Sequence, residues 1–266
     1  MAGAQDKWPV YFDGESLFWP QGDAASSHIL KFSNRNYKGL NWNEVYISFI
    51  SRQLGLPTVE VGIGNGYSLT VRCDRVRDKS GSIVRIHQED FCQALGYPYY
   101  RKYENDGGPD LKECIHLLRN ISVSPAEDIL NLLRWQVFNL LTGNADGHAK
   151  NLSILYTSAG PRLAPFYDLV CTAIYPGISS DLAFSIGGNA DPGQIRLKDW
   201  ERMADVLGMR PRLILNTLNS FMDILLDRLS DYHRLFVEKN GSDPVLERIN
   251  QTIRKRIRRT GSLVAG

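Results

Sequence analysis

Apolar positions change their period along the chain, and the change divides it. Over the first 77 residues they fall in short or alternating runs, "WPVYF" (8–12), "SLFWP" (16–20) and "HILKFS" (28–33), broken by turn residues such as "DGE". Runs of this kind predict strands. "NWNEVYISFISRQLGL" (41–56) differs: Val45, Ile47, Phe49, Ile50 and Leu54 lie at helical spacing, and Gly55 with Pro57 just beyond supplies a stop. "TVEVGIGNGYSLTVRCDRV" (58–76) predicts a hairpin, two β-rich runs around an Asn/Gly turn.

From about residue 88 the pattern is helical. "GGPDLKECIHLLRN" (107–120) places Pro109 at a first helical position. "SPAEDILNLLRWQVFNLLTGN" (124–144) opens with Ser124 and Glu127 in a capping-box pattern around Pro125. Ile129, Leu130, Leu133, Val137, Phe138, Leu140 and Leu141 then form a stripe wide enough for a buried central helix. Residues 197–236 and 244–259 are helical again. The expected fold is α+β with two lobes, a small β-rich N-terminal lobe over 1–77 and a larger helical lobe over 78–266. The cleft between them is a natural ligand site.

Between the buried helix and the apolar run "LSILY" stands "GNADGHAKN" (143–151), dense in polar chemistry. Asp146 is followed five positions later by Asn151, and "LSILYTSAGPRLAPFYD" then returns as a hairpin to Asp168. Phosphoryl transfer needs a carboxylate at the attacking hydroxyl and oxygen ligands for Mg2+, and the kinase arrangement D-x-x-x-x-N followed by a second Asp supplies them. The residues leave two other readings open: a turn with exposed side chains at Asn144, Asp146 and Gly147, or a hydrolytic metal site of Asp146, His148 and Asp168. Lys31 in "HILKFS" and the small residues of "AGAQDK" (2–7), ending in Lys7, are candidate phosphate donors.

Composition narrows the class. The chain has 266 residues, enough for one large domain or two lobes, with 43% hydrophobic and 23% charged residues and a net charge of +2. Neither nucleic acid nor membrane is called for by these values, and no apolar run is long enough to span a bilayer. Cys73, Cys92, Cys114 and Cys171 have no zinc spacing, so the expectation is a reduced, cytoplasmic protein. The basic tail "TIRKRIRRT" (252–260) reads as a solvated helix end, with a phosphate or partner contact as the alternative. "GIGNGYS" (62–68) lacks the P-loop lysine and reads as a hairpin turn. "WERMADVLGMRPRLILNTLNSF" (200–221) has a helix-turn-helix rhythm, but Val206, Leu207, Leu213, Ile214 and Leu218 are more simply core positions.

Taken together, "AGAQDK", "HILKFS", "HQEDFCQALG", "KYENDGGP", "NLLTGNADGHAKNLSIL" and "LAPFYDL" resemble the HipA family of bacterial serine/threonine kinases, the toxins of toxin–antitoxin modules. The resemblance runs in order from residue 2 to about 190. It implies a two-lobed kinase-like fold and Mg-ATP-dependent transfer to a protein, an aminoacyl-tRNA synthetase, typically the glutamyl enzyme, which stalls translation. It implies Asp146 as catalytic base, with Asn151 and Asp168 on Mg2+. Ala2, Gly3, Ala4, Gln5, Asp6 and Lys7 would cover the ATP phosphates, and Lys31 would touch them. Val71, Arg72 and Cys73 would meet adenine through their backbone, and His148, Ala149, Lys150, Asn151, Tyr167 and Asp168 would line the nucleotide site. A HipB-like DNA-binding antitoxin, or a separate N-terminal subunit, is the implied partner. Full-length members carry a further N-terminal region and an autophosphorylating serine just before the glycine-containing loop, so the chain reads as a short form. On that ground a second function is open, a catalytically weak protein that binds nucleotide and antitoxin. "NADPGQIRLKDW" (189–200) is less basic than in members that touch operator DNA, which argues against direct DNA contact.

Overall fold

The short runs of the N-terminal third pair as one antiparallel sheet in the computed structural model, which describes residues 6–33 and 36–265. Ala2, Gly3, Ala4 and Gln5 lie outside the described residues. Lys7–Phe12 (β1), Leu17–Phe18 (β2), His28–Phe32 (β3), Val61–Gly64 (β4) and Tyr67–Val71 (β5) stand in the order β2-β1-β3-β5-β4. Residues 62–68 are the β4–β5 hairpin, with Gly64 paired to Tyr67 across the turn. Leu40–Gln53 (α1) packs behind this sheet, with Val45, Tyr46, Ile47 and Ile50 buried.

Beyond β5 the chain passes through residues 72–74 into a hairpin of Arg75–Arg77 (β6) and Ile83–Arg85 (β7). The Ile86 N–H donates to the Asp74 carbonyl at 2.9 Å and closes the hairpin at its base. His87–Asp90 (β8) then joins a second sheet with Ser153–Thr157 (β9) and Gly160–Leu163 (β10), in the order β10-β9-β8. Phe91–Ala94 (α2) follows β8 directly, capped by Asp90, whose side chain accepts from the Gln93 N–H at 2.9 Å.

Leu111–Ile121 (α3) begins two residues later than Pro109 suggested. Asp110 caps it, accepting from the Glu113 N–H at 2.7 Å while Glu113 accepts from the Asp110 N–H at 3.0 Å, so Pro109 stays outside the helix. Pro125–Thr142 (α4) starts with Pro125 in its first turn, as expected. Its capping box does not form: the Ser124 hydroxyl donates to the Glu127 carboxylate at 3.2 Å, and that carboxylate is also held by Arg162 at 2.8 Å. Leu132, Leu133, Trp135, Val137, Phe138, Leu140 and Leu141 are buried, whereas Leu130 faces outward. Apolar burial nearly all round makes α4 the axis of the helical lobe.

The stretch 197–236 is interrupted. Leu197–Leu207 (α5) ends at Gly208, whose φ of 63° is left-handed, and Pro211–Asn240 (α6) restarts with proline in its first turn. Leu207, Ile214 and Leu218 are core residues, but Val206 and Leu213 are exposed because they flank that break on the outer faces. Pro244–Ala265 (α7) closes the lobe against α4 and extends past residue 259, with Ile253, Ile257 and Thr260 buried. Its basic residues are not all solvated: Arg256 donates to the Leu140 carbonyl at 3.2 Å, and Arg248 to that of Ile174.

Candidate active site

β1 and β3 pair with Lys7 opposite Lys31, which sets two ammonium groups side by side on one face of the sheet. Lys31 is buried and pairs with Glu44 from the inner face of α1. Ser68 and Thr70 on β5 donate to the same carboxylate at 3.3 and 3.5 Å, and Asn41 ties α1 to the strand through the Lys31 carbonyl at 2.8 Å. A buried charge is costly unless paired and hydrogen-bonded, and Glu44 is both.

Asp168, after β10, comes from the other lobe. Its φ of 56° is left-handed, a backbone state uncommon outside glycine and concentrated at functional sites. Lys31 reaches one of its oxygens, and Lys7 reaches the other at 2.7 Å. Burial pushes the Asp168 carboxyl up, but Lys31 and then Lys7 outweigh it and hold the group well below the usual carboxylate range. Burial pulls Lys31 down, and Asp168 and Glu44 together raise it. Lys31 and Asp168 therefore both stay charged near neutral pH. Lys31 thus bridges a helix of the N-terminal lobe to an aspartate of the C-terminal lobe.

The loop 143–151 hangs from the end of α4. Gly143 terminates the helix with a φ of 74°. Asn144 donates to the Asn139 side chain at 3.0 Å and accepts from the Asp146 N–H at 3.0 Å, so it shapes the turn. The Asn151 amide donates to the Asp146 carbonyl at 2.9 Å, which closes the loop and leaves its Oδ1 as the atom able to meet a cation. Gly147 is required by close approach, since a Cβ there would lie 2.6 Å from Asn139 Nδ2. The Tyr103 hydroxyl donates to Asp146 Oδ1 at 2.5 Å.

A cleft of about 400 Å3 opens between the sheet and the 150–168 segment. Lys7, Lys31, Val71, Arg72 and Cys73 line its upper side, and Lys150, Tyr167 and Asp168 its lower side. Arg72 is braced by Asp74 and Ser26, at 2.8 and 3.1 Å, which fixes the connection between the lobes. Tyr167 bonds Ser153 at 2.6 Å, and Lys150 bonds Asp90 at 2.6 Å. Asp146 opens onto a neighbouring cavity of about 310 Å3 with Tyr103, Asp106 and Asp181.

Other expected lining residues sit elsewhere. His148 is 2% exposed and packs edge-on against Tyr103, with ring centroids 5.0 Å apart, so it lies behind the loop. Neither of its ring nitrogens has a hydrogen-bond partner, and burial lowers its pKa to about 4. Ala149 is fully buried, its N–H bonded to the Lys102 carbonyl at 3.2 Å. Asn151 is buried and does not line the cleft, and Asp6 is an exposed residue whose carbonyl accepts from the Phe32 N–H at 3.5 Å. Glu44 and Tyr103 were not singled out by sequence, although "KYENDGGP" contains the tyrosine.

Asp168 and Asn151 offer hard oxygen donors of the kind Mg2+ prefers. Among the described residues no cluster of three or more His, Cys, Asp or Glu side chains forms a metal cage.

The family model of the HipA-like C-terminal domain matches residues 1–228. The chain belongs to this family. It is 41% identical over 247 residues to the Sinorhizobium fredii protein Y4mE, covering 90% of this chain and 59% of the relative. It is 33% identical over 234 residues to the serine/threonine-protein kinase toxin HipA of Shewanella oneidensis, covering 82% of this chain and 53% of the relative. The chain therefore spans little more than half the length of either. The solved complex of Shewanella oneidensis HipA with HipB and operator DNA matches with a TM-score of 0.90 at 26% identity, covering all (100%) of this chain and 66% of that one. The Helicobacter pylori proinflammatory kinase CtkA matches at a TM-score of 0.54 and 13% identity over 96% of this chain and 91% of that one, a likeness of fold. The architecture is the two-lobed, protein-kinase-like α+β fold. No helix among the described residues is long and apolar enough to cross a membrane.

Proposed function

We propose that the chain is a Mg-ATP-dependent serine/threonine protein kinase of the HipA toxin type. The observation that carries the proposal is the bridge from Glu44 through Lys31 to Asp168, which joins the lobes beside the loop of Asp146 and Asn151. Residues 1–77 would form the nucleotide-covering lobe and 78–266 the catalytic lobe, with adenine against the backbone of Val71, Arg72 and Cys73. Lys31, and Lys7 with the 2–6 segment, would hold the phosphates. Asn151 and Asp168 would hold Mg2+, which supplies neutralisation of phosphate charge when bound.

Asp146 would take the proton from the acceptor hydroxyl, and Tyr103 holds its carboxylate in place from the side. Burial keeps His148 uncharged near neutral pH, so it adds no competing cation next to that base. The acceptor protein would be an aminoacyl-tRNA synthetase, most simply the glutamyl enzyme, with translation stalled as the result. A HipB-like antitoxin is the proposed partner, supported by the HipB present in the matching complex.

A second reading is a nucleotide- and antitoxin-binding protein of weak activity. It is favoured by one observation: both Asp168 oxygens are already engaged by lysines. Radiolabelled phosphate transfer to the synthetase, wild type against Asp146→Ala, separates the two. Transfer that depends on Asp146 supports the kinase. Equal transfer by both proteins sinks it, and nucleotide-dependent thermal stabilisation without transfer supports the second reading.

A further inference from the structure

The basic end of the chain encloses a cavity separate from the cleft. α7 lays Thr252, Lys255, Arg256 and Arg259 along one face, and Ser180 and Asp191 lie opposite, around about 280 Å3. A helix end rich in arginine is ordinarily solvated. Three features set this one apart.

First, its cations have no ion-pair partner. Among the described residues, Lys255, Arg256 and Arg259 have no carboxylate at ion-pair distance, whereas Arg72 and Arg75 each have one and Arg162 has two. Second, the carboxylate in the lining is spent on its own turn: Asp191 accepts from the Gly193 N–H and from the Gln194 amide, both at 2.7 Å. Third, the two guanidiniums are held in place. Arg256 donates to the Leu140 carbonyl at 3.2 Å and Arg259 to the Gly193 carbonyl at 2.9 Å, and each keeps further donors in its fork. Burial lowers the pKa of Arg256; the charge of Arg259 acts in the same direction, and Cys171 and Asp191 only partly oppose them.

The cavity backs directly onto the loop of Asp146. A Cβ on Gly143 would lie 2.8 Å from Arg256 Nε, and Ala173 in the lining donates its N–H to the Gly143 carbonyl at 3.1 Å. The segment opposite faces both ways: Ser179 lines the cavity of Asp146, and its neighbour Ser180 lines the basic one.

We propose that this cavity is a phosphate-group site, in which Lys255, Arg256 and Arg259 hold a phosphomonoester dianion. Two forked donors and an ammonium match a tetrahedral dianion better than a single carboxylate. Its concavity suits one phosphate group, not a duplex. The source is Ser180 once phosphorylated, with free phosphate as the other source of the same chemistry. Modification of Ser180 rests on the kinase function proposed above. Its Oγ bonds to the γ-phosphorus of a nucleoside triphosphate, the bond from that phosphorus to the β–γ bridging oxygen breaks, and the diphosphate leaves. The hydroxyl proton passes to the Asp146 carboxylate of a copy of this chain. An occupied site then braces Gly143 and the start of the Asp146 loop.

The test titrates inorganic phosphate into the unmodified full chain by calorimetry at constant ionic strength, beside the double variant Lys255→Gln/Arg259→Gln. Both side chains are exposed, and circular dichroism melts check that the variant folds. The variant is expected to bind phosphate at least about tenfold more weakly. Absent binding, equal binding by both proteins, or binding only of duplex DNA overturns the site. Phosphopeptide mapping after incubation with Mg-ATP, with Ser180→Ala and Asp146→Ala as controls, assigns the source. Phosphate on Ser180 together with lost binding of free phosphate supports the serine. Variant-sensitive binding with Ser180 never modified supports the site and removes the serine. Intact phosphate binding with no transfer to any acceptor sinks the kinase function alone.

Discussion

Tyr103 and Asp146 meet through one hydrogen bond, phenol to carboxylate at 2.5 Å, which ties the turn after α2 to the loop after α4. Burial, then the bond to Asp146, raises the phenol pKa, so Tyr103 stays a donor through the neutral range. Tyr103→Phe removes the donor and keeps the ring against His148. One hydrogen bond to a charged group is worth about 1.5–3 kcal/mol, so kcat for transfer is expected to fall on the order of tenfold or more. Steady-state kinetics with varied ATP check this, and an unchanged KM for ATP places the loss at the acceptor side.

Lys31→Met leaves the buried Glu44 without its cation, and the half-buried Asp168 with Lys7 alone. Removing one partner of a buried ion pair costs about 3–5 kcal/mol, and urea unfolding is expected to register a loss of that order. Adding Glu44→Gln to it should recover part of the loss, because the two sites are in contact and their effects are not additive. A double variant as unstable as the summed single variants would dissociate Glu44 from the bridge.

His148 gives a stability dependence on pH with a defined sign. Its folded pKa is lowered to about 4 from an ordinary value near 6.5, so the unfolded chain binds the proton more readily. Its contribution is complete above about pH 6.5 and is lost progressively as pH falls toward 4, to the extent of about 3 kcal/mol. Thermal melts from pH 7.5 to 4.5 on wild type and His148→Phe should diverge, with the variant losing less stability on the acid side.

Gly147→Ala brings a methyl group to 2.6 Å from Asn139 Nδ2, beneath the loop. Either the Asn139 side chain, which holds Asn144, or the loop itself must give, and both displace the base of the loop. Overpacking of this kind costs about 1–3 kcal/mol, and a displacement near 1 Å at the base would lower transfer about a hundredfold. A melting curve and a transfer assay on the same preparation separate the two effects.

The sequence disclosed those parts of the fold that depend on local pattern. Alternating runs marked β1 and β3, helical spacing marked α1 and α4, and Asn65-Gly66 marked the β4–β5 turn. Asp168 was visible because a hairpin must return the chain to the 143–151 loop. Glu44 was not: a charged residue in an otherwise apolar helical run reads as solvent-facing until its partner, 13 positions away on another element, is in place. His148 misled for the opposite reason, since an imidazole beside an aspartate reads as chemistry, and only packing shows it sealed against Tyr103. Pro109 and Asp110 compete for one helix start, and the side-chain acceptor prevailed over the fixed φ. Val206 and Leu213 show that apolar identity alone does not decide which face of a helix is buried.

The β6–β7 hairpin is closed at its base by the Ile86 N–H to Asp74 carbonyl bond and touches the β2–β3 connection of the first sheet through Arg85, which donates to the Asp23 carbonyl at 3.2 Å, while its tip over residues 78–82 is exposed. Its length is therefore independent of the connection it springs from. A foreign domain or a fluorescent reporter spliced between Lys79 and Gly81 would ride beside that connection without entering the cleft. The molecule carries, at that spot, a ready handle for attaching a probe beside the connection of its two lobes.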